Sequence, residues 1–110
     1  MGHFTEMSDP DVIDLVSGLV FILFSTPGCG VCESLKLKLP GWSEQLGYRA
    51  RFVWLDLERF PEACSRFQVL SVPTLVVRLD GQELSRQLRH INLSLLEEHI
   101  ERPLAFWSEL

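Results

Sequence analysis

The chain predicts an α/β fold of three layers, a central mixed β-sheet with helices on both faces, and three observations carry that expectation. The run Leu19-Val20-Phe21-Ile22-Leu23-Phe24 is apolar at every position, so both of its alternating faces must be covered. Helix-like and strand-like segments alternate along the chain, the pattern of helices packed against a sheet. Finally, Thr74 to Leu79 and Gln82 to Leu88 flank Asp80-Gly81, a strong hairpin signal, which makes part of the sheet antiparallel. With 110 residues, 46% of them hydrophobic, residues 1–110 are expected to form one domain around its own core.

Taken in order, Met1 to Met7 allows a short edge strand around His3 to Thr5. Asp9-Pro10-Asp11 predicts a helix start, with Asp9 as N-cap, Pro10 at the first helical position and Asp11 on the positive end of the dipole. Val12, Ile13 and Val16 give that helix one apolar stripe, and Gly18 ends it. Leu19 to Ser25 is the central strand. Pro27-Gly28 turns the chain into a helix from Cys29 to Leu39, with Leu35 and Leu39 buried and Lys36 and Lys38 exposed. Pro40-Gly41 should break or kink it, Trp42 to Leu46 resumes it, and Gly47 closes it.

Arg51 to Leu57 reads as a further strand, and Phe60-Pro61 opens a short helix in which Phe60, Ala63, Cys64 and Phe67 share a face. After the hairpin, the last helix begins near Asn92 or Ser94. Ser94-x-x-Glu97 offers a capping box, Leu93, Leu96 and Ile100 face inward, and Pro103 should end or bend the helix.

The chemistry is concentrated in Ser25-Thr26-Pro27-Gly28-Cys29-Gly30-Val31-Cys32. Cys29 falls where strand turns into helix, and free N–H groups with the helix dipole stabilise a thiolate there. Such a setting lowers a cysteine pKa from about 8.5 to roughly 3.5–7.5. Cys32 lies three residues on, on the same helix face and within disulfide reach. Cys29 is therefore the expected nucleophile and Cys32 the resolving thiol, while Gly30 lets a partner chain approach closely. Zinc is the weaker reading of C-x-x-C, because only Cys64 and three scattered histidines are left to complete a site, so neither metal nor cofactor is expected.

Composition removes other classes. A net charge of −5 without a basic cluster lacks the attraction that nucleic acid or anionic lipid binding needs. Leu15 to Phe24 is shorter than the roughly 20 residues of a membrane span, and acidic residues Glu6, Asp9, Asp11 and Asp14 precede it where a secretory signal would be basic. A cytoplasmic location follows as an expectation. In that reducing compartment a C-x-x-C points to redox chemistry rather than structural bridging.

About forty residues after the C-x-x-C comes Ser71-Val72-Pro73-Thr74, at the mouth of the apolar strand Leu75-Val76-Val77. Strand, Cys-Gly-Val-Cys helix start and Val-Pro-Thr occur in the order found in thioredoxins, and nearly the whole chain resembles that family. The resemblance implies a thioredoxin-like fold, a cis Pro73 beside the cysteines, and a Val72 whose N–H and C=O receive an extended substrate segment. It implies a thiol-disulfide oxidoreductase that reduces protein disulfides or mixed disulfides, is recharged by an unidentified thiol electron donor, and works as a monomer. The residues expected to contact substrate are Gly28, Gly30, Val31, Val72 and Pro73.

Some positions depart from the family. Leu23 stands where thioredoxins commonly bury an aspartate, and Trp54 where its lysine partner lies, so the core is neutral there and Cys32 lacks a nearby base. Gly28 replaces a tryptophan often found there, Val31 stands where many thioredoxins have proline, Arg89 stands near the position of a loop glycine that normally flanks the family's substrate groove, and Pro40 comes about one turn late. Two alternatives remain open: a redox-inactive thioredoxin-fold binding or chaperone module, and a glutaredoxin-like glutathione-dependent enzyme. Cys64 reads as a buried core residue, His90 as solvated or capping, and Trp42, Trp54 and Trp107 as core or rim. Pro73 read without the resemblance is a plain strand-edge proline.

Overall fold

A computed structural model describes residues 2–109, with side chains through Phe106. Five strands, β1 (Phe4–Glu6), β2 (Leu19–Ser25), β3 (Ala50–Asp56), β4 (Thr74–Leu79) and β5 (Gln82–Leu88), form one sheet in the order β1-β3-β2-β4-β5. β1, β3 and β2 run parallel, whereas β4 is antiparallel to β2 and to β5, which makes the sheet mixed. Helices α1 (Gly30–Gln45), α2 (Ala63–Arg66) and α3 (Leu93–Glu109) and a 3-10 turn at Pro10–Leu15 complete the fold.

β2 is the centre of the molecule because its two faces feed two separate cores. Val20, Ile22 and Phe24 pack with Ile13 of the 3-10 turn and with Ala63 and Phe67 around α2. Leu19, Phe21 and Leu23 pack with Cys32, Leu35 and Leu39 of α1 and with Leu96 and Ile100 of α3. All seven residues of β2 are buried. Burial of each large apolar side chain contributes about 1.5–3 kcal/mol, so Phe21 and Phe24, both fully enclosed, bind the layers together.

The hairpin turns where expected. Asp80 and Gly81 both have positive φ, 49° and 86°, the backbone twist that two-residue hairpins favour. Asp80 also donates its N–H to the Gly18 carbonyl at 3.0 Å and accepts the Gly18 N–H on Oδ1 at 2.7 Å, tying the turn to the start of β2.

Some local expectations are corrected. The segment after Asp9 is a 3-10 turn and not an α-helix; Asp9 caps it as expected, by accepting the Asp11 N–H, but Val12 is exposed and Ile13 alone of the predicted stripe is fully buried. α1 is one helix through Pro40, without the expected interruption. A proline inside a helix costs about 3 kcal/mol, here offset by a continuous buried face of Cys32, Leu35, Leu39 and Ser43, with Trp42 set edge-on to Phe21. α3 likewise continues past Pro103 to Glu109. Asn92 is its N-cap, accepting the Leu95 N–H at 3.0 Å, so Ser94 lies inside the first turn and forms no capping box.

Candidate functional site

Ser25 ends β2, and in the antiparallel register Phe24 faces Thr74, so Pro73 and the loop that opens α1 lie at the same end of the sheet. The loop is shaped by Gly28, whose φ of +81° a side chain would resist. Cys29 then stands as the N-cap of α1, and Cys32 lies in its first turn. The Cys32 N–H donates to Cys29 Sγ at 3.2 Å, which places the sulfur on an otherwise unpaired amide at the positive end of the helix. The two sulfurs are joined in a disulfide with a Cα–Cα separation of 5.3 Å.

The two thiols differ in access. Cys32 is 1% exposed and belongs to the α1/α3 core with Leu23 and Leu75, whereas Cys29 is only partly buried against that core. A Cβ at Gly30 would meet no atom within 4 Å, so the backbone beside Cys29 is open to an approaching chain.

Val31, next to Cys32, is half exposed; Leu88, paired with Thr74, is exposed, and Leu70, before Ser71 and Val72, is almost wholly in water at 93%. The Val72–Pro73 peptide bond is cis. Pro73 is buried and Val72 packs against the α2-side core. Two contacts fix this segment: Thr74 Oγ1 donates to the Ser71 carbonyl at 2.7 Å, and the Arg89 N–H donates to the Pro73 carbonyl at 2.7 Å. The structure thus gathers Gly28, Cys29, Gly30, Val31, Val72 and Pro73 at one end of the sheet.

Leu23 and Trp54 occupy paired positions on β2 and β3 and lie in the same core as Cys32. Lys36, expected to be exposed, is instead mostly covered: its ammonium sits 3.6 Å from the centroid of the Trp54 ring and pairs with Glu33 at 3.1 Å. No local signal marks this contact, because the aromatic partner lies on β3. Cys64 is a free thiol of intermediate exposure and not a fully buried one, because α2 is only four residues long and leaves part of that face open. His90 is exposed beside Arg89, Trp42 and Trp54 are half-buried, and the Trp107 side chain lies outside the described residues. Among the described residues no group of three or more His, Cys, Asp or Glu side chains could hold a metal ion, and no helix is long and apolar enough to cross a membrane.

Comparison with known proteins gives a consistent picture. The family model described as Thioredoxin matches residues 6–102. The thioredoxin of Chlamydia muridarum is 34% identical over 74 residues, 67% of this chain and 72% of that protein. The thioredoxin of Bacillus subtilis is 26% identical over 87 residues, 79% of this chain and 84% of that one. Among solved structures, a mutant thioredoxin from Halobacterium salinarum superposes with a TM-score of 0.75 at 24% identity, covering 90% of this chain and 88% of that one. The thioredoxin of Fasciola hepatica gives 0.63 at 25% identity, covering 83% and 86%.

Proposed function

Since the chain belongs to the thioredoxin family and is a thiol-disulfide oxidoreductase built on the Cys29–Cys32 pair, we propose that it works as a dithiol reductant of protein disulfides, with Cys29 attacking and Cys32 resolving. The observation that carries this assignment is the difference in access between the two sulfurs, with Cys29 partly exposed on the Cys32 amide and Cys32 only 1% exposed.

In the reduced protein the Cys29 thiolate attacks one sulfur of the substrate disulfide. A Cys29–substrate bond forms, the substrate S–S bond breaks, and the second substrate sulfur leaves as a thiolate that takes up a proton. The Cys32 thiolate then attacks Cys29 Sγ, the Cys29–Cys32 disulfide forms, and the remaining substrate thiolate is expelled. Two electrons have passed to the substrate, and a thiol donor must return them.

The substrate segment lies along Val72 and Pro73. Neither the Val72 amide nor its carbonyl is engaged by another described residue, so both are open to one step of strand pairing. Gly28, Gly30 and Val31 border it on the cysteine side. We take residues 1–110 as one domain acting as a monomer in the cytoplasm, with a thiol as electron donor.

Insulin reduction tests this reading with dithiothreitol or glutathione as the electron source. Turnover with dithiothreitol, its loss in Cys29→Ser, and a trapped mixed disulfide in Cys32→Ser are expected. A wild-type protein that binds unfolded chains but reduces none would overturn it.

A further inference from the structure

Residues 25–32, 68–77 and 87–92 contain one permanently charged side chain, Arg89; the segment after β3, whose Asp56 pairs with Ser25, adds Asp56, Glu58 and Arg59 at the same end of the sheet. Arg89 is exposed, and among the described residues its guanidinium has no carboxylate partner; Lys38, Arg49, Arg51 and Arg102 are likewise without one, whereas Lys36, Arg59, Arg66, Arg78 and Arg86 are paired. Its backbone is also unusual: φ is +64°, a region natural to glycine and unfavourable to a long side chain.

The surrounding structure holds that conformation firmly. The Arg89 N–H is bonded to the Pro73 carbonyl at 2.7 Å. Across the loop, the buried Gln87 side chain accepts the Asn92 N–H at 2.6 Å and donates to the Asn92 carbonyl at 3.1 Å. A cation kept in an unfavourable backbone region, fastened to the proline of the substrate platform and left without an internal counter-ion, has a reason to be there if its counter-ion arrives with the substrate.

We propose that Arg89 is a specificity-determining residue that selects disulfides whose cysteine is flanked by a carboxylate, Asp or Glu, within two residues. The inference rests on the reading of Cys29 as nucleophile and Val72-Pro73 as the platform. A substrate segment laid along Val72 passes the Pro73 carbonyl to which Arg89 is tied, so a flanking carboxylate meets the guanidinium while the apolar side chains of Val31, Leu70 and Leu88 receive the rest. At a solvent-accessible rim this attraction is modest and salt-sensitive, and it acts on encounter and binding rather than on the exchange step.

The test is steady-state reduction of matched disulfide peptides carrying Glu, Gln or Lys at each of the two positions on either side of the cysteine. Wild type, Arg89→Lys and Arg89→Gly are compared, the glycine variant fitting the positive φ without cost to folding. Wild type should prefer a Glu peptide to its Gln counterpart by about three- to fivefold in kcat/KM, expressed in KM. Arg89→Lys should keep the preference, Arg89→Gly should bring the ratio near one, and high salt should erase it. Equal rates for Glu and Gln peptides with wild type, or a preference that survives in Arg89→Gly, would overturn the inference while leaving the dithiol reading intact. Failure to reduce any peptide would overturn that reading and the inference with it.

Discussion

The ammonium of Lys36 lies over the Trp54 ring, 3.6 Å from its centroid, and so brings a positive charge to the rim of the core that encloses Cys32. Trp54 faces Leu23 across β3 and β2, two positions where the family resemblance implies a lysine and a buried acid. The apolar pair removes both buried charges, and a lysine returns on another element, one turn after Cys32 on α1. Its side chain keeps 16% of its surface, enough to hydrate the charge that a position deeper in the core would have to neutralise.

This contact has a measurable energy. A double-mutant cycle with Lys36→Met and Trp54→Leu, read by urea melts, should give a coupling of about 0.5–1 kcal/mol, the range for a partly exposed cation–π pair. Additive single effects would show that Lys36 merely rests on the ring.

Accessibility and helix placement order the three thiols. In the reduced protein under limiting iodoacetamide, mass mapping should find Cys29 alkylated first, Cys64 more slowly, and Cys32 last. Labelling of Cys32 ahead of Cys29 would reverse the roles proposed for them.

What could be read from the sequence, and what could not, divides along physical lines. β2 and the Asp80-Gly81 hairpin were legible because two-sided apolarity and a turn with two positive φ values are local signals that tertiary packing reinforces. The C-x-x-C and Pro73 were legible as a pair of motifs in fixed order, although their shared end of the sheet comes only from the β2–β4 register. Pro40 misled because its helix-breaking tendency is about 3 kcal/mol, within what the buried face of α1 can offset. Ser94 misled because Asn92, two residues earlier, competes for the cap and is itself held by Gln87. Lys36 was missed because a charge on a helix reads as solvated unless the aromatic partner on a distant strand is known.

The 3-10 turn is fastened by charge. Asp14 accepts from Arg78 and from Arg66, each at 2.8 Å, and Arg66 also pairs with Asp11. The hydrogen bonds from Arg78 and then Arg66 hold the Asp14 carboxyl below its ordinary value of 3.8. A depressed carboxyl pKa adds stability that is fully present above the unfolded-state value and is lost as pH falls through the folded-state value. Asp14→Asn should therefore be less stable than wild type at pH 7, by about 0.5 kcal/mol given the exposure of the pair. The two proteins should converge as the pH falls below the lowered folded-state value and the Asp14 carboxylate is protonated in both states, and urea melts across an acid series check this. A gap that persists in acid would mean that the asparagine disturbs the turn by another route.

The apolar Leu23 bears on the release step. It is fully buried in the core with Cys32 and Leu75, and Trp54, its partner on β3, is no base, so the proton of Cys32 must leave to water or to the departing substrate sulfur. If that transfer limits release, the mixed disulfide on Cys29 should be long-lived, and an acid placed at position 23 should shorten it. Leu23→Asp buries a carboxyl in an apolar site, which costs several kcal/mol and raises its pKa, a shift that favours a proton acceptor near neutral pH. Pairing it with Trp54→Lys restores a counter-charge and keeps the comparison open should the single variant unfold. The measurement is single-turnover reduction of a fluorescent disulfide peptide by wild type, Leu23→Asp and the double variant, with urea melts alongside. Release should quicken in whichever variant is folded, by about a hundredfold, the lower end of the range for a positioned general base. A folded variant that releases no faster would show that proton removal from Cys32 is not rate-limiting, and that Leu23 and Trp54 serve the packing of the core alone.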